Sequence, residues 1–165
     1  MADWKKSDND KKRILLCGTY PIGTSNGYSK VVYYISKYLG KYGADKSLFG
    51  IDRIDVDLEY IFIFEGPIDA MFVKNGIAAA GLSLNNLQKH QLTEFPFHKK
   101  IWVVDNPKFD NAAKTNVEKL ISAGESVFIW PTDMPYKDFN DYAVAKSYDE
   151  IDYRIIANNC LCLSS

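Results

Sequence analysis

Two short apolar runs, each ending on a carboxylate, constrain this chain more than anything else in it. Tyr60-Ile-Phe-Ile-Phe64 is almost wholly apolar and rich in aromatic and β-branched residues, the composition of a strand buried on both faces. It stops at Glu65-Gly-Pro-Ile-Asp69. There an acid occupies the strand end, Gly66 and Pro67 break the strand, and Asp69 falls in the first turn of the helix that follows. Forty residues beyond Glu65, Ile101-Trp-Val-Val104 repeats the pattern and ends on Asp105. Strand carboxyl ends gather along one edge of an open parallel sheet, and ligands bind there. Glu65 and Asp105 are therefore expected at one rim. Carboxylates in contact repel by about 1–4 kcal/mol, so grouping them is unfavourable unless a cation lies between. Mg²⁺ is the expected ion, because it takes hard oxygen ligands and keeps waters that substrate phosphates replace; Mn²⁺ is its expected substitute.

A chain of 165 residues suits one compact α/β domain, or one domain with an appended unit. With 47% apolar and 14% aromatic residues it has ample material for a core. No apolar run approaches the ~20 residues of a membrane span. The opening Met1-Ala-Asp-Trp-Lys-Lys-Ser-Asp-Asn-Asp10 is polar and mixed in charge, unlike a signal or transit peptide. A soluble, cytoplasmic protein without membrane contact is expected. The 20 basic residues are matched by 21 acidic ones, which excludes the basic excess of a dedicated nucleic-acid module. Any such contact must use a local patch or a metal ion. Cys17 lies in an apolar run and reads as a small buried hydrophobe. Cys160 and Cys162 form a C-x-C with no second pair to complete a zinc site.

Residues 1–11 form a polar leader, and residues 12–46 read as a βα unit. In it, Arg13–Gly18 is a strand, Tyr20–Gly27 a small-residue loop, and Val31, Tyr34, Ile35, Tyr38 and Leu39 an apolar helical stripe. The loop departs from both phosphate-binding patterns: Gly23-Thr-Ser-Asn-Gly27-Tyr-Ser-Lys30 is neither Walker A nor G-x-G-x-x-G. A connecting loop, with Ser25 or Asn26 as helix cap, is expected instead. Residues 47–58 have strand-and-turn character. Beyond Glu65, helices are expected over Pro67–Lys74, Leu84–Leu92 and Asn111–Ala123, and strands over Ile77–Ala80 and Ser126–Trp130. Lys137–Asp141 opens a helix carrying Phe139, Tyr142, Ala143 and Ala145; Asp149–Ile156 makes a last helix, followed by a frayed tail over 159–165. His90 and His98 have no Cys or His partner at ligand spacing and read as surface or internally satisfied residues.

Two resemblances add to this. Ile14-Leu-Leu-Cys-Gly-Thr-Tyr-Pro-Ile-Gly23 and Gly27-Tyr-Ser-Lys-Val-Val32 resemble the first strand and glycine loop of retaining glycosyltransferases built from two Rossmann domains. That likeness implies sugar-nucleotide contact, but it covers some 35 residues, and the family's donor-binding half has no counterpart here. Residues 59–141 resemble a TOPRIM domain, the metal-binding fold of bacterial-type primases, topoisomerases and related nucleases, in the variants of phage and plasmid replication proteins. Glu65-Gly-Pro-Ile-Asp69 matches its E-G-x-x-D element, Ile77–Ser83 its small-residue strand with glycine and hydroxyl residue, Asp105 the first acid of its D-x-D, and Lys137-Asp138-Phe-Asn140 its later acidic turn.

This second resemblance implies a three-layer, Rossmann-like α/β sheet with mainly parallel strands over residues 47–158, behind the appended βα unit. It implies Glu65 and Asp105 as catalytic acids, and a Mg²⁺ site drawn from Glu65, Asp69, Asp105, Asp110 and Asp138. The implied activity is phosphoryl (nucleotidyl) transfer on DNA or RNA, with nucleotides as substrates. The implied role is the primase-like module of a phage or plasmid replication system, partnered by a helicase or another replication subunit.

One ligand is missing from the pattern. Pro107 stands where the second acid of D-x-D belongs. Asp110 is the available replacement or else a helix N-cap; Asp138 is open to the same two readings. Asp69 is equally open to being a surface acid stabilised at a helix N-terminus. Phe109 and Tyr136, near the acidic edge, are candidates either for stacking on bases or for ordinary loop packing. A catalytically degenerate TOPRIM domain, serving as a binding or assembly module, is the rival reading.

Overall fold

The computed structural model describes residues 47–161. The polar leader, the appended βα unit with its loop and Cys17, and Cys162 lie outside the described residues. Five strands form one sheet in the order β2-β1-β3-β4-β5. They are β1 (Tyr60–Phe64), β2 (Gly76–Ala78), β3 (Lys99–Val103), β4 (Ser126–Phe128) and β5 (Cys160–Leu161). The first four run parallel and β5 pairs antiparallel with β4, so the expected α/β architecture with mainly parallel strands is present. The helices are α1 (Pro67–Met71), α2 (Asn86–Leu92), α3 (Asn111–Ser122), α4 (Phe139–Lys146) and α5 (Arg154–Ala157). Among the described residues no helix is long and apolar enough to cross a membrane.

The strand alternation splits the core into two layers. Phe62, Phe64, Ile101, Val103 and Phe128 face α1, α4 and α5, burying Ala70, Phe139, Tyr142 and Ile156. Ile61, Ile63, Trp102, Val104 and Val127 face the other way, against Leu92, Ala113 and Leu120 of α2 and α3. Ile61–Phe64 are all buried, because the central strand has neighbours on both edges and helices on both faces.

Local sequence explains where elements begin. Pro67 opens α1, where its missing N–H costs nothing. Asn85 and Gln88 close a reciprocal capping box at the start of α2. Gly76 is required by close packing: a Cβ there would lie 2.3 Å from the Ala70 carbonyl oxygen. Asn75 takes the left-handed conformation, φ 57°, and its buried amide donates to the Asp55 and Tyr60 carbonyls.

Several boundaries differ from those expected of the sequence, each for a tertiary reason. α1 stops at Met71 rather than Lys74, because the chain turns so that Val73 can bridge Ile151. β4 stops at Phe128: Ile129 N–H instead reaches the Asn159 carbonyl, and the Trp130 indole donates to the Val104 carbonyl at 2.7 Å. The last helix shrinks to Arg154–Ala157, since Ile151 is fully buried and donates its N–H to the Phe72 carbonyl. The expected frayed tail is structured at its start, where Cys160 and Leu161 pair with Phe128 and Val127.

Candidate functional site

β1 and β3 are adjacent and in register, with Phe64 opposite Val103. Glu65 and Asp105 thus leave neighbouring strands at the same rim. Each strand buries its apolar side chains up to the rim, and the acid is the first polar residue beyond them. The remaining acids arrive from three other elements. Asp69 lies in α1, Asp110 is the N-cap of α3, and Asp138 is the N-cap of α4.

Electrostatics show which of them are neighbours. Asp105 is pushed up to about 6, first by desolvation, then by Asp138, with Glu65 and Asp110 adding to the rise and Lys137 opposing it. Asp69 is pushed up to about 7 by desolvation, then by Asp138 and Asp105, against a hydrogen bond from Asn140. Glu65 is raised by desolvation and then by Asp110. As a residue Glu65 is exposed; its raised pKa reflects crowding of the carboxyl group by the rim. Asp138 is raised chiefly by desolvation, partly offset by the N–H groups it caps. Asp69, Asp105 and Asp138 form one group on the α1 and α4 side, Glu65 and Asp110 another on the α3 side, and Asp105 feels both.

Helix capping and a ligand role are compatible here. Asp110 Oδ1 accepts the Ala112 N–H at 2.8 Å, and Asp138 Oδ1 accepts the Asp141 N–H at 2.7 Å. Both caps therefore exist, and each uses one oxygen of two. Asp69 is not the surface acid that its position in a helix allowed. It is half-buried, and its Oδ1 accepts the Asn140 N–H at 2.9 Å. Two carboxylates from different elements thus clamp the first turn of α4, whose positive dipole end favours them.

The donors at the rim are carboxylate oxygens with one ammonium nearby, the hard oxygen type that divalent cations such as Mg²⁺ take. Lys137 Nζ stands 3.9 Å from Asp138 Oδ2. Among the described residues, no group of three or more His, Cys, Asp or Glu side chains converges tightly enough to form a ready cage.

Asn106 had no role in the sequence reading, yet it organises the rim. It is 3% exposed. Its amide donates to the Tyr136 carbonyl at 2.9 Å and the Met134 carbonyl at 3.3 Å, while its backbone N–H donates to the Lys137 carbonyl at 2.8 Å. These bonds fasten the loop that carries Lys137 and Asp138 onto the end of β3, beside Asp105. The signal available was the Asn-Pro dipeptide after a buried strand, which marks a turn. Of the two aromatic candidates, Tyr136 packs on Tyr142 with ring centroids 4.9 Å apart, whereas Phe109 is 50% exposed. His90 is exposed, and His98 packs edge-on against Phe95.

No protein-family model matches the chain. A DNA primase of Enterobacteria phage T4 is 37% identical to it over 98 residues, which is 57% of this chain and 26% of that protein. The chain thus spans about a quarter of the length of the relative it matches. Over those residues the chain is similar to that primase.

Proposed function

We propose that this chain is a TOPRIM-type, primase-like module that carries out Mg²⁺-dependent nucleotidyl transfer on nucleic acid within a replication system. The observation that carries the reading is the rim itself. Five acids from the ends of β1 and β3 and from α1, α3 and α4 meet there; desolvation and the neighbouring charges of Asp138 and Asp105 push Asp69 up to about 7, and desolvation with Asp138, Glu65 and Asp110 pushes Asp105 up to about 6. A fold keeps such repulsion at a site when a cation relieves it. The similarity to a phage DNA primase supports the same reading.

Bound Mg²⁺ supplies neutralisation of phosphate charge. The chain's own residues do the rest. Asp105, with Asp138 and Asp69 beside it, would hold the ion on the α1 and α4 side of the rim. Glu65 stands at the end of β1, where desolvation and then the charge of Asp110 raise its pKa, the direction that suits a general base. It takes the proton of the attacking hydroxyl as the new phosphodiester bond forms and pyrophosphate leaves. Lys137 limits the net charge of the rim.

Mn²⁺ titration followed by electron paramagnetic resonance tests this, with Mg²⁺ as competitor. Saturable binding is expected for the wild type and lost in Glu65→Gln and Asp105→Asn. Unchanged affinity in both variants would end the proposal. Pro107 supports a second reading, a degenerate module that binds without turnover. It is the one to keep if metal binds as expected but no nucleotide is incorporated when the chain is assayed with its replication partners.

A further inference from the structure

The turn that replaces the second acid is itself a binding element: we infer that Lys108 and Phe109 form a contact for an unpaired nucleobase and its phosphate at the mouth of the site. The inference rests on the reading of the rim as a nucleotidyl-transfer site, and names how that site engages its substrate.

Phe109 is 50% exposed, which is costly for a large aromatic ring that had the option of packing inward, as Tyr136 does. Its place is fixed. The Phe109 N–H donates to the Asn106 carbonyl at 2.9 Å, the Asp110 N–H to the same oxygen at 3.2 Å, and the Lys108 N–H to Asn106 Oδ1 at 3.0 Å. Asn106 is in turn buried and bonded to the neighbouring loop, and Pro107 removes one backbone degree of freedom. An aromatic ring held this way loses little entropy on stacking.

Lys108 is exposed, and its ammonium lies 5.7 Å from the Phe109 ring centroid. The ammonium lies over one face of the ring, so the pair presents the other face with a cation behind it. That is the chemistry of a base followed by a phosphate, and stacking of this kind serves any base. The turn also sits between Asp105 and Asp110, so a base on Phe109 would place its phosphate near the acidic rim. With a net charge of −1 the chain lacks an overall basic excess, so a local pair of this kind is a fitting contact for a strand. The strand itself and a free nucleoside triphosphate share the recognised chemistry.

The test is fluorescence anisotropy of the full chain with a labelled single-stranded oligonucleotide. It is run with Mg²⁺ and with EDTA, and repeated with unlabelled nucleoside triphosphate as competitor. Phe109→Ala should weaken binding by roughly tenfold or more. Lys108→Ala should flatten the dependence of log affinity on log salt by about 0.7, one phosphate contact. Phe97→Ala is the control, since Phe97 is 93% exposed and precedes β3 at the opposite edge of the sheet. It should bind as the wild type does. Competition by the triphosphate that Phe109→Ala abolishes assigns the contact to the incoming nucleotide; its absence assigns it to the strand. Undetectable binding by the wild type, wild-type affinity in Phe109→Ala, or an equal loss in Phe97→Ala overturns the inference. Metal binding lost in Asp105→Asn while Phe109→Ala binds as the wild type is failure of this contact alone; metal affinity unchanged in Asp105→Asn while Phe109→Ala still weakens binding in EDTA is failure of the metal-site reading alone.

Discussion

Asp69 has a proton affinity that follows directly from its surroundings. Its ordinary pKa is 3.8 and in the fold it rises to about 7, through desolvation and the charges of Asp138 and Asp105. Between those values the folded chain retains a proton that the unfolded chain has lost. The stability associated with a neutral Asp69 is therefore complete below about pH 4, declines as pH rises, and is gone above about pH 7. Asp69→Asn keeps an oxygen for the Asn140 N–H but cannot become charged. In thermal melts without divalent ions it should match the wild type at or below about pH 4 and melt several degrees higher near pH 8. A difference independent of pH would show that charge is not what burdens this position.

At the scale of elements, the rim is held by loop-to-strand fastening rather than by helices alone. Asn106→Ala removes two amide donors and one acceptor, each worth about 1 kcal/mol net, and leaves the Met134 and Tyr136 carbonyls without that partner. Urea unfolding should show a loss of roughly 2–4 kcal/mol, with the loop carrying Asp138 the first to lose amide-exchange protection. An effect below about 0.5 kcal/mol would be that of an ordinary surface change. This element also marks the limit of what sequence discloses. Tyr60–Phe64 and Ile101–Val104 are legible because an unbroken apolar run of that length must be buried, and the acids after them are legible because a buried strand has to end at a surface. β5 is two residues long and has no periodicity to read. Burial of Asp69 depends on α4, seventy residues on, coming to rest against α1. Asn106 looks like a turn former in sequence and becomes a clamp only when a second loop arrives beside it. The shortened last helix has the same origin: Ile151 is captured by Phe72 and Val73, a contact with no local signature.

For the whole molecule, the proposed metal site would tie global stability to divalent ions. Ligands that bind the folded state alone raise its stability in proportion to the logarithm of their concentration over Kd. Saturating Mg²⁺ should therefore raise the melting temperature near pH 8, where the rim carries its full charge. Its effect should be smaller near pH 5, where protons already relieve the repulsion. The increment should largely vanish in Asp105→Asn. Differential scanning fluorimetry in EDTA and in Mg²⁺ at the two pH values measures all of this, and an equal increment in the variant would mean that the ion acts elsewhere.

The antiparallel course of β5 has a practical corollary. Cys160 lies opposite Phe128 and Leu161 opposite Val127, so the chain at Leu161 is travelling back toward the edge where the parallel strands begin. A fluorophore or affinity handle attached beyond that point would start from the end of the sheet opposite the acidic rim, leaving the rim unobstructed.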